Sequence, residues 1–364
     1  SPNPHPNIPS RLPISLGYSK KLGLIKQLPN QKTLDALKKV YSLNYNIGYL
    51  QEGFTFKKGY LVSIKEFIYK IVKFKKNMTI FEIGCGGAAL LSEFKEKGYS
   101  VSGIDPSPIA KKACNKLGIN IIQDFYSKEK VSAFDFIYHH NVLEHVENPL
   151  KLLRHNYYNL NEKGQIVIAV PDCSYYINHG DISMVWHEHI SYFDDESLRN
   201  ILIKAGFTDV VIKKSSYGGL LYGYGIKAKQ NHYEQVFIEN ENKFKDFVNS
   251  TLIKFKNVSK LMNKILITEK SNLGIYVPLR FISYLSLMDL EKKDLNKIRF
   301  FDDDSSSIGK YYDGFSIKIE SFKDFKKKPP NSVIICSDKF FDQIFSKISL
   351  IMKNKSQIYS LKKI

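Results

Sequence analysis

The sequence predicts an α/β protein with a doubly wound parallel sheet and a second, smaller α/β domain. Three observations predict it. From residue 79 short apolar runs alternate with stretches of helical periodicity. A glycine-rich turn joins the first run to the first helix. A shorter alternation of the same kind begins near residue 273. Strands that alternate with helices form parallel βαβ units with right-handed crossovers.

The elements follow in order. "KTLDALKKVYSLNY" (32–45) and "LVSIKEFIYKIVKF" (61–74) place apolar residues at helical spacing, the second more strongly through Leu61, Ile64, Phe67, Ile68 and Ile71. "TIFEIG" reads as the first strand, and "AALLSEFKEKG" as a helix ended by Gly98. "SVSGID" is a strand, "SPIAKKACNKLG" a helix ended by Gly118, and "INIIQ" a third strand. "FDFIYHH", the helix "NPLKLLRHNYYNL" and the strand "GQIVIAV" continue the pattern. "ESLRNILIKAGF" is a helix stopped at Gly206, and "TDVVIKKSS" with "LLYGYGIKAK" forms a closing antiparallel pair. Residues 1–16, rich in Pro, Asn and Ser, read as an extended arm. The polar stretch 234–264 lacks Pro and Gly and reads as a helical bridge. The expected boundaries are an N-terminal arm and helix (1–50), the main α/β domain (51–232), a helical connector (233–265) and the small α/β domain (266–364).

Bulk properties narrow the classes. The chain has 364 residues, 43% hydrophobic and 25% charged, ordinary for a globular protein. No apolar run approaches the ~18 residues of a membrane-spanning helix, and no signal peptide is visible. Cys85, Cys114, Cys173 and Cys336 are far apart without a CxxC pair, which argues against a structural zinc site and a disulfide framework. A cytoplasmic setting is expected. The net charge of +18 favours acidic partners, but the lysines are scattered and runs such as Lys326-Lys327-Lys328 are short. A solvated, lysine-rich background accounts for this better than nucleic-acid binding; an anionic small substrate is compatible with it, and no membrane partner is expected.

Chemistry concentrates in two stretches. "FEIGCGGAAL" (81–90) sets Gly84 and Gly86 between a strand and a helix, where backbone approaches a ligand closely and the helix N-terminus faces it. Glu82 precedes the first glycine by two residues, and Asp105 ends the second strand, where its carboxylate can accept ribose hydroxyl protons. The second stretch is "VWHEHISYF" (185–193), just past the fifth strand, where doubly wound folds place their ligands. His187 and His189 differ by two positions and lack the HExxH spacing of a zinc helix, so no metal is expected. An acid–base role fits better, since histidine titrates in the working pH range and a neighbouring glutamate can orient or tune it.

E-x-G-x-G with Asp105 resembles a class I S-adenosylmethionine-dependent methyltransferase, and "FDFIYHHNVLEHVENP" is similar to that family's fourth-strand motif. The resemblance implies a Rossmann-like methyltransferase sheet and S-adenosylmethionine as cofactor. It implies cofactor contacts from Glu82, Gly84, Gly86, Asp105, Asp124, Phe125, His140 and Asn141. "HEHISYFDDESLRNILIKAGF" further resembles the sugar C-methyltransferases, which act on nucleotide-linked ketosugars. That likeness implies His189 as the base, with Glu188 and Trp186 near the sugar. Beside these, His187 is a second candidate for the catalytic base, and Tyr192 and His179 are further candidates for acceptor contacts. Trp186 stands where the family usually has tyrosine, and the family's CxxC-based zinc module has no counterpart here. The expected activity is methyl transfer to a carbon or oxygen of a sugar or sugar nucleotide, in surface-polysaccharide or deoxysugar biosynthesis. O- or N-methylation of another phosphorylated metabolite and nucleic-acid methylation are the alternatives. The oligomeric state is left open.

Overall fold

The computed structural model describes residues 12–43, 59–126, 133–228, 241–267 and 272–364, apart from 313 and 353. Much of the N-terminal arm and residues 234–240 of the helical bridge therefore lie outside the described residues. The chain divides into two compact units. One contains residues 12–174 and 186–244; the other contains 175–185 and 245–364.

The first unit opens with a hairpin, β1 (Leu16–Ser19) and β2 (Leu24–Gln27), followed by α1 (Gln31–Leu43) and α2 (Tyr60–Ile71). The βαβ series then runs β3 (Thr79–Ile83), α3 (Ala89–Glu96), β4 (Ser100–Ile104), α4 (Pro108–Leu117) and β5 (Asn120–Ile122). It continues through β6 (Phe134–His140), α5 (Pro149–Asn159) and β7 (Leu160–Pro171). A two-residue strand β8 (Ser191–Tyr192), α6 (Asp195–Lys204), β9 (Phe207–Lys214) and β10 (Leu220–Lys227) complete it. Local chemistry fixes the helix ends. Ser107 caps α4 ahead of Pro108, and Gly118 closes it at φ 61°. Asp194 and Ser197 form a reciprocal capping box at α6.

The main sheet has the order β5-β4-β3-β6-β7-β10-β9. Strands β3 to β7 are parallel, and β10 runs antiparallel to both β7 and β9. Adjacent residues of one strand enter opposite cores. Ile80, Phe136 and Val167 join one; Phe81, Ile137, Ile166 and Ile168 join the other. Both faces are covered, which is why these strands read as continuous apolar runs. The strand order reverses at β3, so the loops after β3 and β6 diverge and open a crevice at the carboxyl ends.

The N-terminal hairpin was not expected from the sequence. It pairs with β8 to form a separate antiparallel sheet, β1-β2-β8, with Ile25 opposite Tyr192 and Lys26 opposite Ser191. Residues from Leu16 onward are therefore structured and hold the stretch that contains the two histidines.

In the second unit, helix α7 (Glu241–Leu266) belongs to it from residue 245. Its sheet is parallel, in the order β13 (Ile319–Glu320), β12 (Ile298–Phe301), β11 (Leu273–Tyr276), β14 (Ser332–Ile335), β15 (Ile358–Ser360). The expected small α/β domain is present.

Phe94 on α3 is fully buried, and its ring meets Tyr69, Phe74, Tyr99, Phe136 and Tyr138. Phe94→Ala is expected to lower unfolding free energy by about 3–5 kcal/mol, read as a lower midpoint in denaturant titration.

Candidate functional site

The turn from β3 into α3 carries three successive departures from ordinary backbone. Gly84, Gly86 and Ala88 all have positive φ, at 70°, 51° and 58°. Gly84 is required twice over, because a Cβ there would lie 2.6 Å from Val142 Cγ2. Asp105 fastens the turn: its carboxylate accepts from Gly86 N at 3.0 Å and from Ser107 N at 2.9 Å. Ala88, the N-cap of α3, offers no side-chain cap, so the first amides of that helix point toward the turn unsatisfied by a side chain. A set of helix-opening amides beside a carboxylate suits a ligand that carries both a polar head and vicinal hydroxyls.

Glu82 lies beneath the turn, buried, and accepts from Tyr138 Oη at 2.7 Å. His140 Nε2 is 3.2 Å from its other oxygen. Burial pushes the Glu82 carboxyl up, against the pull of His140 and Tyr138. Asn141 follows with φ 53°, its amide donating to Ala169 O at 2.9 Å. These residues stand at the carboxyl ends of β3, β4 and β6, in the crevice created by the reversed strand order.

The 186–192 stretch is shaped by Gln27 of the hairpin. Its buried side-chain amide donates to the carbonyls of Trp186 and His189, the latter at 2.6 Å, and meets the Tyr192 hydroxyl at 3.1 Å. Gln27 N donates to Ile190 O at 2.8 Å. His189 N closes a tight turn onto Trp186 O at 3.1 Å. The imidazole of His189 sits between two rings. Trp186 stacks on it at 6.1 Å, and His145 meets it edge-on at 5.0 Å and 77°. His187 Nε2 donates to Leu12 O at 2.8 Å, which ties that imidazole to the backbone. Tyr192 is fully buried with its hydroxyl on Gln27.

Glu144 and His145, from the "LEH" turn after β6, complete the group. His145 Nδ1 donates to Glu188 O at 2.8 Å and is 3.0 Å from Tyr41 Oη. That bond leaves Nε2 facing Glu144 Oε1 at 3.5 Å. Ile190 N donates to Glu144 O at 2.7 Å, joining the two loops. The Glu144 carboxyl is buried, and neither oxygen has a hydrogen-bond partner among the described residues. Burial raises it to about 8, helped by the nearby Glu188 charge. Burial also lowers His145 to about 4. Their 3.5 Å approach is thus between a neutral acid and a neutral imidazole at pH 7. Burial raises Glu188 as well.

The structure brings Glu82, Gly84, Gly86, Asp105, His140 and Asn141 into one crevice, and gathers Trp186, His187, Glu188, His189 and Tyr192 on one strap. Asp124 and Phe125 follow β5 and are exposed, with Phe125 N on Asp124 Oδ1 at 2.8 Å. His179 belongs to the other compact unit, where its Nδ1 meets Tyr175 O at 2.9 Å and its ring stacks on Tyr175 at 4.2 Å. Sequence reasoning missed Gln27 and Tyr41, neither of which carries a local motif. It noticed Glu144 and His145 only as a polar pair anchoring a turn. The histidine spacing spoke against a metal, yet the fold gathers His189 with Glu144 and His145 into a set with mutually close ligand atoms.

Residues 58–212 match the family described as a methyltransferase domain. They form a class I methyltransferase domain. Its cofactor is S-adenosylmethionine. The ubiquinone biosynthesis O-methyltransferase of Pseudomonas paraeruginosa is 27% identical over 100 residues, 25% of this chain and 43% of that protein. The match thus spans less than half the length of that curated relative. A SAM-dependent methyltransferase from Archaeoglobus fulgidus is 20% identical, covering 49% of this chain and 98% of its own, with a TM-score of 0.40. A possible histamine N-methyltransferase from Thermotoga maritima is 18% identical, covering 49% and 94%, with a TM-score of 0.40.

Two outcomes are expected for the methyltransferase domain. Gly84→Ala combines left-handed backbone, costing about 1–2 kcal/mol, with a clash on Val142; calorimetric titration with S-adenosylmethionine should show weakened binding. The buried Glu144 gives a stability slope. Its folded value lies above its unfolded one, so its contribution is complete at low pH and is lost as pH rises toward 8. His145 works in the opposite sense below pH 6.5, with its proton deficit in the folded state offsetting the Glu144 excess. Between pH 6.5 and 8 stability should fall by up to about 1.4 kcal/mol per pH unit. Glu144→Gln should flatten that fall in urea titrations at several pH values.

Proposed function

We propose that the protein transfers a methyl group from S-adenosylmethionine to a sugar or sugar-nucleotide acceptor, with His189 as the proton acceptor. The observation that carries this reading is the strap at 186–192. It is pinned by Gln27, it faces the loop after β6, and its sequence is similar to the segment that serves as the base in sugar C-methyltransferases.

When bound, the cofactor supplies an electrophilic methyl on a sulfonium, which leaves as a neutral thioether. Gly84, Gly86 and the amides opening α3 line the cofactor side of the crevice. Asp105 accepts from the amides of Gly86 and Ser107, which holds its carboxylate at the end of β4, where ribose hydroxyls would meet it. On the acceptor side, proton removal and alignment are the protein's task, because the displacement itself needs only an in-line nucleophile. Trp186 and His145 fix the plane of the His189 imidazole. Glu188 contributes its carbonyl to His145 and its half-buried carboxyl to the polarity of the wall. If the proton comes from a carbon beside a carbonyl, an enolate carbon takes the methyl; if it comes from a hydroxyl, the oxygen does. The Pseudomonas relative is an O-methyltransferase, which favours the second route.

His189→Ala should reduce turnover by about 10²–10⁴-fold and leave cofactor affinity unchanged, measured with labelled S-adenosylmethionine and a panel of nucleotide sugars, with product masses read. Asp105→Ala should instead weaken cofactor binding. Near-normal turnover in the His189 variant would place the base elsewhere, and an inert sugar panel would remove the sugar acceptor.

A further inference from the structure

We propose that Glu144, His145 and His189 form a binding site for one divalent transition-metal ion of the zinc, cobalt or nickel class. One ligand atom from each lies within 4.8 Å of the others. A tetrahedral ion with bonds of about 2.0–2.2 Å holds its ligand atoms roughly 3.4 Å apart. The set therefore has to contract by up to about 1.4 Å, within reach of side-chain rotation.

Three features of these residues point to a cation. The first is the Glu144 carboxyl. It is buried, and neither of its oxygens has a hydrogen-bond partner among the described residues. A buried acceptor left unmade is costly, and an ion would satisfy it. The second is His145. Its Nδ1 donates to the Glu188 carbonyl, which commits the ring to the tautomer whose Nε2 lone pair faces Glu144. A backbone carbonyl behind a histidine is the arrangement that orients metal-binding imidazoles. The third is His189, whose ring is held between Trp186 and His145 at the same place. Two imidazoles and one carboxylate suit a borderline ion better than calcium or magnesium, which take oxygen ligands. Three protein ligands leave a coordination position open.

The binding claim goes beyond the base role proposed for His189 and does not need it. The two have one joint consequence: an ion bound through the His189 lone pair leaves no free base, so loading and base catalysis exclude each other at this residue.

The chain carries its own reporter, since Trp186 is the only tryptophan and stacks on His189. Untagged full-length protein, stripped with chelator, would be titrated with Ni²⁺ and Co²⁺ without cofactor or acceptor. The expected result is one equivalent bound, with Trp186 fluorescence quenched by Ni²⁺ and visible absorption appearing with Co²⁺. Glu144→Gln and His189→Ala should each weaken binding at least about tenfold, since loss of even a supporting contact costs 10–100-fold. His187→Ala, which removes an imidazole tied to Leu12 O, should stay within about twofold of the parent. Absence of stoichiometric binding in the parent overturns the site, as does binding lost in the His187 variant but kept in the Glu144 variant. Because no turnover is measured, failure here leaves the His189 base role untouched.

Discussion

The reversal of strand order at β3 is the constraint from which the methyltransferase domain takes its shape. A parallel strand with neighbours laid down in opposite directions must send its following loop away from that of the adjacent strand. The loop after β3 becomes the glycine turn, and the loop after β6 becomes the Asn141–His145 turn. Val142 closes the gap so tightly that Gly84 has no room for a side chain. The glycine turn and the turn that carries Val142 and the LEH residues thus pack directly on one another.

A different force governs the strap at 186–192. There the strap 186–192 has little regular structure of its own beyond two strand residues. Backbone carbonyls in such a segment need donors, and Gln27 supplies its side-chain amide to two of them. The Glu144 carbonyl takes the amide of Ile190. A hairpin, a turn and a strap far apart in sequence therefore make one polar assembly whose carboxyl and imidazole are both driven to neutrality by enclosure.

Much of the first unit was legible in the sequence, because the central strands β3, β6 and β7 are buried on both faces and read as apolar runs between helices of 3.6-residue period. The Gly98, Gly118 and Gly206 stops all coincide with positive φ. Asp105 and the glycine turn were legible for the same reason: their chemistry is local. The hairpin was not. Leu16–Ser19 and Leu24–Gln27 gain their meaning from pairing with β8, and a strand partner at that distance leaves no local period. Gln27 looks like any polar strand residue until its amide is seen between Trp186 and His189. Glu144 and His145 were visible, but the burial that makes them unusual arises from Tyr41 and Glu188, which come from other parts of the chain.

The pairing of β2 with β8 also sets an order of assembly. Gln27 and Tyr192 are 165 residues apart, so their contact closes a long loop and is reached late. The strand pairings among β3 to β7 join segments closer in sequence and close shorter loops. The pairings beside the glycine turn can thus be in place before the 186–192 strap is anchored. The strap is the part of this domain that waits for the hairpin.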